Sequence, residues 1–126
     1  MNDQRLTTIQ KRGNLNATYR FGDPGPGGAY HDYDIYDADI VSIETAEPIL
    51  CIQFQKDARR VPEARRGVLD VDLLEIVRDR LTCFQQGEFA TPENAHALHH
   101  IEEALLWMNK RVEDRLERNV LGTYNK

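Results

Sequence analysis

Residues 85–94, Gln-Gln-Gly-Glu-Phe-Ala-Thr-Pro-Glu-Asn, constrain the fold more than any other stretch because they separate two long segments of helical periodicity. Gly87 can adopt the left-handed conformation that ends a helix. The Thr-Pro-Glu sequence at 91–93 then supplies the N-cap, first-position proline and acidic first turn of a new helix. Because the connection is short, residues 70–118 are predicted to fold as an antiparallel helical hairpin.

Each predicted helix carries one continuous apolar stripe at three- and four-residue steps. The first helix begins near Asp70, a favourable N-cap. The stripe residues are Leu74, Val77, Leu81 and Phe84 in the first helix, and Leu98, Ile101, Leu105, Met108 and Val112 in the second. Further apolar residues, including Ile76 and Leu106, widen this surface beyond one seam. The surplus predicts a homo-oligomer whose helices pack between subunits.

The front of the chain, residues 1–69, has the shorter periodicity of strands. Segments with strand character are 15–21, 30–36 and 49–55, while 40–43 is either a short strand or a loop. The glycine-rich stretch 22–28 is either a plain connection or a loop whose amides approach a ligand, and it lacks the P-loop and GxGxxG patterns.

The predicted fold class is α+β: a small antiparallel β-sheet followed by a long antiparallel α-helical hairpin. We expect a single domain with the following parts: a β-rich part at 1–69 that includes a basic loop at 56–68, the hairpin at 70–118, and a tail at 119–126.

Charge and composition exclude several classes. The net charge of -5 argues against a general DNA or RNA binder. No apolar run reaches membrane-spanning length and the first residues are polar, so neither a membrane protein nor a signal peptide is predicted. Cys51 and Cys83 lack CxxC spacing and are predicted to be reduced structural residues of a cytosolic protein.

Catalytic patterns are weak. His96 and His100 share a helical face with Glu103 one turn on, and His99 lies between them, but HxxxH alone is a weak metal signal. Ser42 is the single serine and lies in no GxSxG elbow. We therefore predict no catalytic residue, no metal, no cofactor and no enzyme activity. A small metal-dependent hydrolase at the histidine cluster is retained as an alternative.

Arginines concentrate in two places. Residues 56–68 form a locally basic loop in an acidic chain, and its Arg59 and Arg60 suit bidentate capture of phosphate or are simply solvated. Arg111, Arg115 and Arg118 form a stripe near the end of the second helix. They either complement the helix dipole and pair with nearby carboxylates, or grip a diphosphate.

Several of these segments resemble the helical hairpin of phage Thoeris anti-defence sponges and of a related sponge that counters CBASS immunity. The resembling segments are 87–89, 91–94 and 101–111, with the ending 115–123 and the Phe54-Gln55 step closer to the Thoeris members. The resemblance implies a non-enzymatic protein of the host bacterial cytoplasm. Such a protein sequesters cyclic ADP-ribose isomers, and some members also take cyclic di- or trinucleotides.

The resemblance places ligand contacts at Phe84, Asn94, Arg111 and Arg115, to which we add Arg59 or Arg60 from the basic loop. Asn94 and Arg111 are 17 positions apart on one helix, or about 25 Å at 1.5 Å per residue, so one small ligand cannot touch both. Either two pockets exist or each pocket is shared between subunits of a homodimer or hexamer. The competing hypothesis is an oligomerisation or protein-interaction module without a nucleotide ligand.

Overall fold

The computed structural model describes residues 4–125; Met1–Asp3 of the polar start and Lys126 of the predicted tail lie outside the described residues. The chain forms two compact units. The first contains the described residues up to Asp57 together with Glu63–Gly67. The second contains Ala58–Pro62 and the chain from Val68 onward. The predicted basic loop is therefore divided between the units.

The first unit is a three-stranded antiparallel sheet in the order β1-β2-β3, which confirms the predicted small sheet. The strands are β1 (Asn16–Phe21), β2 (Asp32–Asp37) and β3 (Leu50–Gln53). Residues 40–43 are not a strand; Ile40 and Ile43 instead pack against the core. The segment that could have been a strand or a loop is therefore a loop, and it contributes two apolar side chains to the packing around the core.

The core of the sheet unit is small and aromatic. Ala17, Tyr19 and Tyr36 are buried, and the two tyrosine rings meet edge to face at 5.6 Å. The Tyr36 hydroxyl donates to Asp34 at 3.2 Å. Burial and the neighbouring Asp34 carboxylate both raise the pKa of Tyr36 above its ordinary value. This pairing keeps a polar group satisfied beside the core.

The glycine-rich loop 22–28 closes on itself between β1 and β2. Gly25 donates to the Ala29 carbonyl at 2.8 Å, and Gly28 donates to the Gly25 carbonyl at 2.9 Å. A side chain at Gly25 would overlap Nε2 of His31, so glycine is needed for this close approach. In the sheet unit the loop thus has a packing role.

The second unit contains helices α1 (Asp70–Gln85) and α2 (Pro92–Glu117), which confirms the predicted hairpin. Arg78 of α1 donates to Glu102 of α2 at 2.8 Å and to Glu75 of its own helix at 3.3 Å. The two carboxylates, Glu102 foremost, raise the pKa of Arg78. These contacts align the two helices side by side.

Two details of the hairpin differ from prediction. Asp70 is the first helical residue and Leu69 is the N-cap; Asp72 accepts a hydrogen bond from the Leu69 amide at 2.8 Å. Gly87 does not have a positive φ, so the predicted left-handed end of α1 is wrong. The turn is held instead by the Gln85 side chain, which accepts from the Thr91 amide at 3.0 Å and donates to the Thr91 carbonyl at 3.1 Å.

Candidate functional site

All six residues predicted to bind ligand lie in the helical unit. Phe84 and Asn94 flank the hairpin turn at one end of α2. Arg111 and Arg115 lie near the other end, where residues 58–62 also join the unit. The structure therefore supports two separate groups in one chain, as the spacing along α2 requires.

The turn group is organised by the start of α2. Thr91 is the N-cap, as predicted, and its hydroxyl accepts from the Asn94 amide at 3.0 Å. Asn94 is half-buried, and no residue in 4–125 hydrogen-bonds its side-chain amide. Phe84 is 41% exposed, with the Arg80 guanidinium 5.6 Å from the ring centroid. An exposed ring, a cation and a free amide are groups that can stack on and bond a base.

The far end of α2 finishes in a Schellman motif. Asn119 has φ 56 and donates to Leu116 at 3.1 Å, while Val120 donates to the Arg115 carbonyl at 2.9 Å. This geometry turns the chain back towards the helix, so the loop 118–125 begins beside the last turn of α2. We call residues 118–125 the C-terminal loop.

Arg115 stabilises the C-terminal loop through hydrogen bonds to its main chain. It is 8% exposed and is the one buried residue among the described residues of α2. Its Nη2 donates to the carbonyls of Val120 and Thr123, each at 3.0 Å. A buried cation that satisfies main-chain acceptors is stabilised in place and adds positive charge where the local dielectric is low.

Residues 58–62, part of the basic loop, also form hydrogen bonds with the C-terminal loop. The Arg60 amide donates to the Gly122 carbonyl at 2.8 Å, and the Ala58 amide donates to the Tyr124 hydroxyl at 3.1 Å. Gly122 has φ 79, and a Cβ there would lie 3.1 Å from Cγ of Arg60 and 3.7 Å from Cβ of Arg59. The loop thus gathers arginines that are far apart in sequence.

Three arginines at this end are exposed and carry no described partner. Arg59, Arg60 and Arg111 form no side-chain hydrogen bond or ion pair with any residue between 4 and 125. Arg118, by contrast, pairs with Asp114 at 3.2 Å. Arg65, in the sheet unit, pairs with Asp32 at 3.1 Å and bonds the Phe54 carbonyl at 3.0 Å. The first three arginines therefore remain available to an anion.

Sequence reasoning missed the C-terminal loop. Gly122, Thr123 and Tyr124 hold the arginine segments, but only tertiary contacts reveal this. The available sequence signals were Asn119 just after the helix and Gly122 beyond it, both of which tolerate positive φ. Those signals predict a turn and do not identify what the turn contacts.

The histidine cluster and the two cysteines are the remaining candidate groups. His100 lies 3.5 Å from Glu103, yet within residues 4–125 no group of three or more His, Cys, Asp or Glu side chains is arranged to hold a metal. Cys51 and Cys83 are free, as predicted, but both are exposed and neither packs in a core. A hydrogen bond with Asp34 is the main cause of a raised pKa at Cys51, which disfavours its nucleophilic thiolate.

A groove of about 550 Å³ runs between α1 and α2, and none of the six predicted residues lines it. Its walls are Val71, Glu75 and Arg78 from α1, and Glu102, Leu105, Leu106, Asn109 and Val112 from α2. The three charged residues of this lining already pair with one another, because Arg78 forms ion pairs with Glu75 and Glu102. The groove therefore combines apolar side chains with an ion-paired arginine, and its lining offers no unpaired cation to an anion.

The helical hairpin and the exposed arginines near its end are the features to compare with known proteins. The family model of the "Acb2/Tad1, hairpin domain" matches residues 52–113, which include α1 and most of α2. Over 60 residues the chain is 48% identical to "Thoeris anti-defense 1" of Bacillus phage SBSphiJ7. The match covers 48% of this chain and 42% of that relative, so the chain spans less than half of the relative's length. These findings confirm the predicted anti-defence family.

Separately, within residues 4–125 no helix is long and apolar enough to cross a membrane.

Proposed function

We propose that the protein is a non-enzymatic sponge that binds and sequesters cyclic nucleotide immune signals in the cytoplasm of the host bacterium. The ligands would be cyclic ADP-ribose isomers, with cyclic di- or trinucleotides as a second class. One observation carries the proposal. The chain has 21 acidic against 16 basic residues, yet Arg59, Arg60 and Arg111 have no carboxylate partner among residues 4–125.

The chemistry of the helix end suits a pyrophosphate. Guanidinium groups form paired, charge-assisted hydrogen bonds with phosphate oxygens. In this proposal Arg111 and one of Arg59 and Arg60 contact the phosphates. The buried Arg115 contributes positive charge to the site without contacting them. Phe84 stacks on a base, and Asn94 bonds a base edge or ribose. Tight binding without turnover requires no nucleophile or general base.

The two groups of residues would meet across subunits. Because the turn group and the helix-end group lie at opposite ends of α2, one copy would contribute Phe84 and Asn94 and another would contribute the arginines. Exposed apolar residues on the hairpin supply a surface for this assembly. In α1, all of whose residues the structure describes, none is buried. We propose a homodimer or hexamer on this basis.

Calorimetric titration with a glyco-cyclic ADP-ribose isomer tests the proposal. We expect tight binding by the wild type and a loss of about a hundredfold or more in Arg111→Glu, because a charge-assisted bond is replaced by repulsion. Lys110→Glu is the matched control: it makes the same charge change one position away, outside the proposed site. Ligand recovered intact after heat denaturation supports a sponge, and recovered cleavage products support the hydrolase alternative.

The interaction-module hypothesis predicts a different result. The exposed apolar face of the hairpin, with Leu106 70% exposed, favours a protein contact whether or not a nucleotide binds. A stable wild-type assembly that binds neither a cyclic ADP-ribose isomer nor a cyclic dinucleotide at micromolar concentration would support that hypothesis and overturn the sponge.

A further inference from the structure

The C-terminal loop lies beyond the part of the chain that the family model matches, which ends at residue 113. We propose that this loop positions the guanidinium groups of Arg59 and Arg60 for ligand, and that Arg115 acts through it as a positioning residue in addition to its charge. The inference rests on the proposed function, because the ligand is the anion that those arginines would bind.

The argument begins with the segment that carries the two arginines. Residues 58–62 contain one internal turn bond, from the Val61 amide to the Ala58 carbonyl at 2.9 Å. A segment with so little internal bonding does not fix two long side chains by itself. Within the second unit, the other hydrogen bonds found for the main chain of this segment are those to Gly122 and Tyr124 of the C-terminal loop.

Gly122 is the point of closest approach. Its carbonyl holds the Arg60 amide, and its Cα faces the Cγ and Cδ atoms of Arg60, which a Cβ would meet at 3.1 and 3.6 Å. The aliphatic stem of Arg60 therefore packs against Gly122, and this contact limits the positions open to its guanidinium group. Any side chain at 122 displaces the stem.

Arg115 fixes the loop that presents Gly122. Its two bonds, to the carbonyls of Val120 and Thr123, bracket Gly122 on both sides. The Thr123 hydroxyl also donates to the Val120 carbonyl, which closes the same turn. In this proposal the buried arginine stabilises the loop, and the loop constrains where Arg59 and Arg60 can point.

Gly122→Ala tests this chain of contacts. We expect it to weaken binding of a cyclic ADP-ribose isomer about tenfold, the effect of losing one well-placed charge-assisted contact. Gly13→Ala is the matched control, because Gly13 also has a positive φ, 71, but a Cβ there would contact nothing within 4 Å. It imposes the same kind of backbone strain without displacing an arginine, so we expect unchanged affinity.

A double-mutant cycle separates positioning from general damage. In an Arg59→Ala/Arg60→Ala background Gly122→Ala should have no further effect on affinity, whereas in an Arg111→Ala background its full effect should remain. An equal loss in both backgrounds, or no loss in the wild type, overturns the proposal. Tyr124→Phe, which removes the acceptor of the Ala58 amide, is the milder variant if Gly122→Ala folds poorly.

Hydrogen exchange of the Arg60 amide provides a readout that needs no ligand. Faster exchange in Gly122→Ala but not in Gly13→Ala supports the loop contact even if no cyclic nucleotide binds, in which case only the proposed function fails. Unchanged exchange in Gly122→Ala overturns the positioning role whatever the ligand result.

Discussion

At the scale of single residues, the arginines of this chain have different functions that their shared chemistry conceals. Arg78 joins two helices through carboxylates, and Arg115 is buried against main-chain carbonyls. Arg59, Arg60 and Arg111 are exposed without a described partner in residues 4–125. A guanidinium group has five donors, so its function depends on which acceptors the fold brings near it.

Stability measurements should distinguish Arg115 from Arg111. Arg115→Ala removes two hydrogen bonds from a buried site and should lower the free energy of unfolding by about 1–3 kcal/mol. Arg111→Ala changes an exposed side chain and should alter it by less than about 0.5 kcal/mol. Urea denaturation at one fixed protein concentration measures both. Equal losses in the two variants would contradict the structural assignment.

At the scale of elements, the hairpin turn is closed by side chains. Gln85 exchanges two hydrogen bonds with the backbone of Thr91, and Thr91 caps α2. The amides of Gln86 and Gly87 bond the carbonyls of Cys83 and Phe84, each at 3.2 Å, which tightens the last turn of α1. These bonds satisfy the helix end without left-handed backbone at Gly87.

Gly87→Ala should therefore stabilise the protein. Gly87 lacks a positive φ, and a Cβ there would meet only the Phe84 and Cys83 carbonyl oxygens, at 3.9 and 4.0 Å. Reduced freedom of the unfolded chain then raises the free energy of unfolding by about 0.4–1 kcal/mol. Thr91→Ala in the same turn should lower it by about 1 kcal/mol. A destabilised Gly87→Ala would show that the left-handed conformation is needed after all.

At the scale of the whole molecule, the hairpin has more apolar surface than its own two helices cover. Leu106 and Trp107 of α2 are 70% and 65% exposed, and no residue of α1 is buried. Exposed apolar side chains concentrated on one element are typical of a protein contact. This is the surface on which the proposed assembly depends.

Leu106→Glu should disrupt that assembly. Placing a carboxylate in an apolar contact leaves a charge unpaired, so sedimentation analysis should find a smaller species than in the wild type. Ligand binding should be lost as well, because the proposed pocket takes residues from two copies. Leu15→Glu, at an 84% exposed position of the sheet unit, is the control and should keep the wild-type mass. A wild-type mass for Leu106→Glu would contradict this location of the contact.

Local signals account for what was predicted correctly. Thr91 and Pro92 begin α2 because capping and proline geometry involve neighbouring residues only. The periodicity of 74–84 and 98–112 predicts helices, and alternation at 15–21 predicts a strand, because each depends on spacing along the chain. All six candidate site residues were named from the sequence through resemblance and arginine spacing, and their ligand contacts stay predictions.

What the sequence by itself determined is therefore the order of elements, the hairpin and the anti-defence family. Only the tertiary structure decided that Gly122, rather than Gly87, needs left-handed backbone, and that Arg115 is buried beneath the loop. The first depends on Arg60, which is distant in sequence and packs against Gly122. The second depends on the Val120 and Thr123 carbonyls, which lie beyond the end of the helix. Periodicity records which face of a helix is apolar, whereas the partner of a polar group is set by where the chain returns in space.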